Sequence, residues 1–151
     1  MDRVPSIEDS LVSIVENFFK DIDKKEPFYM ELSQYRFSLK SKLTQILSQF
    51  AGDYETGSKS FNSAVEATWK ALEDAINKLN LENEKELERA TKVLEQTNEV
   101  LKEFLYEDRI KDKGSLSAVS GRIGDTLERL SYEMRRRSGL IKRIKKLLGM
   151  G

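Results

Sequence analysis

The chain contains no cysteine and no histidine. Without thiols there is no disulfide framework, no thiolate nucleophile and no Cys-held zinc or iron–sulfur cluster. Without imidazole there is no Ser-His-Asp triad, no general base titrating near neutrality and no ordinary transition-metal site. Catalysis would have to rest on Asp, Glu, Lys, Arg, Tyr or Ser, so a non-enzyme without a cofactor is expected. Acidic pairs at the i, i+3 spacing of a helical metal site are confined to Asp23/Glu26 and Asp125/Glu128. The first abuts Pro27 and the second lies among Arg122 and Arg129, so both read as surface charge. No Gly-rich phosphate loop follows a strand, because strand-type alternation is nearly absent. No apolar run approaches the roughly 18 residues of a membrane span. The start, Met1-Asp2-Arg3-Val4-Pro5, has no basic segment followed by an apolar one, and a soluble cytoplasmic chain is expected.

What is present is charge and helical spacing. Of 151 residues, 34% are charged and 38% hydrophobic, the length of one domain. The 26 cations and 26 acids cancel, but unevenly. Arg135, Arg136, Arg137, Lys142, Arg143, Lys145 and Lys146 are seven cations with no acid after Met134, so residues 1–134 hold 19 cations against 26 acids. An acidic body, 1–134, therefore carries a basic tail, 135–151.

Six helical stretches follow from the spacing of apolar residues. The first starts at Ser6, with Asp9 three residues on in a capping-box arrangement, and places Ile7, Leu11, Ile14, Phe18 and Ile22 on one face. Lys24-Lys25-Glu26-Pro27 ends it. The second, Phe28 to Phe50, aligns Leu32, Leu39, Leu43, Ile46 and Phe50, with Tyr35 and Leu47 beside them. Ala51 to Ser58 reads as a loop, with Ser58 or Ser60 capping a third helix that carries Phe61, Val65, Leu72, Ile76 and Leu79. After a turn at Asn80–Asn83, the fourth helix repeats Leu87, Leu94 and Leu101 every seven residues, with Ala90, Thr97 and Phe104 on the second seam position. A charged loop, 107–114, leads to a fifth helix capped by Ser115 or Ser117, with Leu116, Val119, Ile123, Leu127, Leu130 and Met134 in its stripe. Ser138-Gly139 breaks the pattern, and a short amphipathic sixth helix follows. One-sided stripes require the helices to cover each other, so the expected fold is all-α: an antiparallel four- to five-helix bundle with a short basic C-terminal helix.

Three features are candidates for function. In the tail, Leu140, Ile141, Ile144, Leu147 and Leu148 fit one helical face and Lys142, Arg143, Lys145 and Lys146 the other, a pattern suited to a partner groove, an anionic membrane or nucleic-acid phosphates. Ser117, Ser120, Gly121 and Gly124 form a small-residue patch, read as a site of close approach by a neighbouring helix. Phe18, Phe19, Phe28, Tyr29, Tyr35 and Phe37, interleaved with Lys24, Lys25, Arg36 and Lys40, resemble a base-stacking surface, although core filling accounts for all but Phe37. Leu116, Ile123, Gly124, Asp125 and Leu127 resemble the BH3 motif of the Bcl-2 family over a short stretch, with Ser120 where that motif carries leucine. Nothing is carried over from it. The reading is a non-enzymatic interaction protein (an adaptor, a regulatory or structural assembly subunit, or an inhibitor) whose tail, Arg135–Arg137 and Leu140–Leu148, engages an acidic protein partner. The alternatives are a nucleic-acid-binding accessory subunit and a membrane-surface protein, with self-association a further option.

Overall fold

The structure, a computed structural model, describes residues 6–20 and 29–149, except for the side chains of Ser138, Leu140, Ile141 and Lys142. These residues form five helices: α1 (Ile7–Lys20), α2 (Tyr29–Gln49), α3 (Tyr54–Asn77), α4 (Glu84–Phe104) and α5 (Gly114–Leu147). The fold is all-α. The Lys24–Pro27 terminator, Ile22 and Phe28 lie outside the described residues.

Local chemistry explains most boundaries. Ser6 Oγ accepts the Asp9 amide at 3.0 Å and opens α1. Asn83 Oδ1 accepts from Lys85 N and Glu86 N and opens α4 after the expected turn. Two caps differ from expectation. α3 is capped not by Ser58 or Ser60 but by Asp53, whose carboxylate accepts from the Thr56 amide at 3.1 Å and the Thr56 hydroxyl at 2.6 Å. This draws the Ala51–Ser58 stretch largely into the helix. Gly57 belongs there because a Cβ would meet Phe50 Cβ at 3.0 Å, so the glycine permits close packing and not a turn. α5 starts at Gly114, ahead of Ser115 and Ser117. Its N-cap is Lys113, which makes no side-chain cap bond, and the Gly114 amide is met by Asp112 Oδ1 at 2.9 Å.

The anticipated stripes are the core. Leu39, Leu43, Phe61, Leu72, Leu87, Ala90, Leu94, Thr97, Leu101, Leu116, Ile123 and Leu130 are all buried. Trp69 is buried too, and Phe61 packs against Phe104 with tilted rings, centroids 5.1 Å apart. One buried polar pair crosses the core. Thr97 Oγ1 donates its single proton to Val93 O, so the Tyr35 hydroxyl is the donor to Thr97. Burial pushes the Tyr35 phenol well above its usual range, outweighing the opposite effect of Thr97.

The order around the bundle is α2, α3, α5, α4, with α1 laid along α2 and α3. Consecutive helices run in opposite directions, but the lateral pairs α2/α4 and α3/α5 are parallel. Arg36 and Lys40 of α2 meet Glu99 and Glu103 of α4 with the same spacing. Ser58, Asn62 and Glu66 of α3 meet Lys111, Asp112 and Arg122 in the same order. Lys40 is the main reason the Glu103 carboxyl sits below its ordinary range.

The charged loop before α5 is fastened rather than loose. Ile110 is buried in the core. Ser58 Oγ donates to Arg109 O at 3.3 Å and accepts from Lys111 N at 2.7 Å, while Asn62 donates to Asp112 O at 2.9 Å.

Candidate functional site

α5 is the longest helix at 34 residues, about 51 Å, against roughly 32–36 Å for α2 to α4. Contrary to expectation, it does not break at Ser138-Gly139, and no separate sixth helix forms. The division between 1–134 and 135–151 falls inside one continuous helix.

Two registers locate the end of the bundle. Ser120 of α5 bonds Asn98 of α4 at 2.6 Å, and these helices are antiparallel. Fourteen residues on in α5 is Met134, and fourteen back in α4 is Glu84, where α4 begins. Arg122 pairs with Glu66 of the parallel α3; eleven residues on from each are Glu133 and Asn77, where α3 ends. Met134 is also the last α5 residue, among those described, that packs on the core. The 13 residues from Arg135 to Leu147 therefore project about 20 Å past the bundle.

The projecting end is bare. Ile144, Leu147 and Leu148 are 47%, 86% and 67% exposed. Arg136 pairs with Glu133 at 3.0 Å, whereas Arg135, Arg137, Arg143, Lys145 and Lys146 make no ion pair among the described residues. The helix nevertheless ends in an ordered way. The Leu148 amide bonds Ile144 O, the Gly149 amide bonds Lys146 O, and Gly149 takes φ +70°, the left-handed conformation of a helix C-cap. The side chains of Leu140, Ile141 and Lys142 lie outside the description, but their backbone continues α5. The structure thus brings the tail candidates onto one preformed helix.

It does not assemble the other two candidates as expected. Added Cβ atoms at Gly121 and Gly124 would meet nothing within 4 Å, so no described helix approaches them closely. Ser117 is exposed, and only Ser120 is engaged, through Asn98. The aromatic and cationic residues of the first third also part company. Phe18 packs on Tyr35 with centroids 5.5 Å apart, Phe19 lies against the core, and Arg36 and Lys40 are tied to α4 carboxylates. Phe37 is exposed, as its position off the Leu32–Leu39–Leu43 stripe implied, but so is Tyr29, which was expected to fill the core and instead sits at the first turn of α2. Leu116 and Ile123, of the BH3-like stretch, are buried, and Leu127 packs on the core.

No protein-family model matches the chain, and no curated protein or solved structure is significantly similar to it. No described helix is long and apolar enough to cross a membrane. Sequence reasoning missed Met30, which is 82% exposed at the start of α2, and Arg89, a cation buried within α4. Neither had a local signal: Met30 precedes the α2 stripe, and a charged residue next to Ala90 reads as solvent-facing.

Proposed function

We propose that this chain is a non-enzymatic interaction protein that works by surface contact, with the projecting end of α5 as its contact element and an acidic protein as its partner. The bundle acts as a rigid mount. The observation that supports this reading is the exposure of Ile144, Leu147 and Leu148 beside Arg143, Lys145 and Lys146, which have no ion-pair partner among the described residues, on a helix end that the other described helices leave uncovered. Exposed aliphatic side chains beside cations favour a partner that is both apolar and acidic. Phosphates alone would satisfy only the cations.

The test compares the full chain with a version ending at Met134 in affinity capture from the native source, with and without nuclease. Every described core residue lies at or before Met134, so the helical circular-dichroism signal of the body is expected to persist. The expected result is a protein captured only by the full chain and retained after nuclease. Equal capture by both versions refutes the proposal, and a catch that nuclease abolishes transfers it to nucleic acid.

A further inference from the structure

The apolar positions of α5 keep one register from the core into the overhang. Leu116, Ile123 and Leu130 recur every seven residues, and the same step reaches Arg137 and then Ile144. Leu127 and Met134 form the companion line, which the same step carries through position 141 to Leu148. Along the bundle this seam is covered by α3 and α4. Both stop level with Glu133 and Met134, yet the seam runs on for two more heptads. A heptad seam selects another helix, because knobs spaced by 3.5 residues fit the holes between the side chains of a second helix. A bilayer would demand amphipathicity but no register continuous with a core.

Charge narrows the partner further. Lys145 adjoins this seam at a flanking position, and Arg135, Arg143 and Lys146 lie further round the same overhang, which has no acidic residue after Glu133; in helix pairs charge beside the seam sets partner choice. The single charged residue on the seam, Arg137, adds a polar step of the kind that fixes register.

We propose that the end of α5 receives an acidic amphipathic helix of a partner protein, seated past the bundle end in the place that α3 and α4 occupy along it. This rests on the proposed function and names the form its partner takes. The partner helix carries apolar residues in heptad spacing and Glu or Asp beside them. It meets a preformed helix, so only the incoming segment is ordered on binding.

The experiment uses the full chain and a labelled synthetic peptide of three heptads, with Leu at a and d and Glu at e and g. The glutamates repel one another and keep the peptide from pairing with itself. Binding is read by fluorescence anisotropy, and hydrogen exchange reports protection of α5 beyond Met134. Saturable binding with that protection is expected. Leu147→Ser with Leu148→Ser should weaken it about 10-fold or more, since one buried leucine is worth roughly that factor. Arg143→Glu with Lys145→Glu and Lys146→Glu reverses the charge at those three positions of the overhang and should abolish the binding. None of these variants touches the core, so loss of fold does not confound them. Absence of saturable binding, or binding without protection of α5, overturns the inference. Sedimentation of the full chain with phosphatidylserine vesicles, dependent on the same leucines while the peptide fails to bind, overturns it in favour of a lipid surface. If the peptide fails but truncation at Met134 still abolishes nuclease-resistant capture, the helix inference falls and the proposed function stands. If truncation changes nothing, both fall.

Discussion

Gly121 and Gly124 offer a direct measure of whether anything packs on the outer face of α5. Both lie well inside a helix, where glycine costs about 1 kcal/mol relative to alanine. Both have helical backbone angles, and an added methyl would meet nothing within 4 Å. Gly121→Ala and Gly124→Ala should therefore recover the propensity difference with neither a clash nor a packing gain. Taking about 0.8 kcal/mol each, the pair contributes about 1.6 kcal/mol. For a chain of this size that raises Tm by about 3–6 °C. With a urea m value of about 2 kcal/mol/M, the midpoint moves up by about 0.8 M. Thermal and urea melts followed by circular dichroism at 222 nm read both quantities. The same exchange at Gly139, in the overhang, should leave the bundle's Tm almost unchanged, because that part of α5 unfolds without exposing core. A fall in stability on Gly121→Ala or Gly124→Ala would refute the reasoning, since it would mean that a neighbour does close on these glycines. An increase in stability with loss of partner capture would identify the face as a second contact surface.

Other outcomes follow from single interactions. Tyr35→Phe removes a donor but leaves Thr97 bonded to Val93 O, so a loss of about 1 kcal/mol is expected; Thr97→Val strands the buried Tyr35 hydroxyl and should cost more, about 1–3 kcal/mol, in urea melts. The reverse order would show that Tyr35 is not the donor. The Asp53 carboxyl is held below its ordinary range, chiefly by the Thr56 hydroxyl and then by the Thr56 amide. The stability this supplies is present above the carboxyl's unfolded pKa and is lost as pH falls through the lower folded value. Asp53→Ser keeps a capping oxygen without a titrating group, so it should flatten the acid limb of a stability-against-pH profile while preserving α3 at neutral pH. An unchanged acid limb would show that the cap does not titrate with folding.

The helical stripes were legible because burial follows a 3.6-residue period, and in α4 the heptad Leu87–Leu94–Leu101 needed no further information. Glycine was the least legible residue. In sequence Gly57 looked like part of a turn, and Gly121 and Gly124 looked like contact points. In the fold Gly57 makes the close contact, against Phe50 Cβ, while the other two face open space. The difference lies in what sits opposite each glycine, which no local pattern records. Ser138-Gly139 misled for a related reason: both residues are tolerated in a helix at modest cost, and neither breaks one without a competing turn. The tail's composition marked the candidate site. That it forms one rod with α5, and projects, depends on where α3 and α4 stop, and that follows only from the packing registers.

The parallel pairing of α2 with α4 and of α3 with α5 also bears on how the chain acquires its fold. Arg36 and Glu99, or Ser58 and Lys111, are more than fifty residues apart in sequence, so these lateral interfaces close large loops instead of local hairpins. Such non-local contacts slow folding relative to a bundle in which every neighbour is the next helix. During synthesis α1, α2 and α3 can collapse on one another first, yet the sides of α2 and α3 that await α4 and α5 stay open until Met134 has emerged. For that interval the nascent protein leaves bare the apolar faces of α2 and α3 that α4 and α5 later bury, and transiently exposed surface of that kind is prone to aggregate.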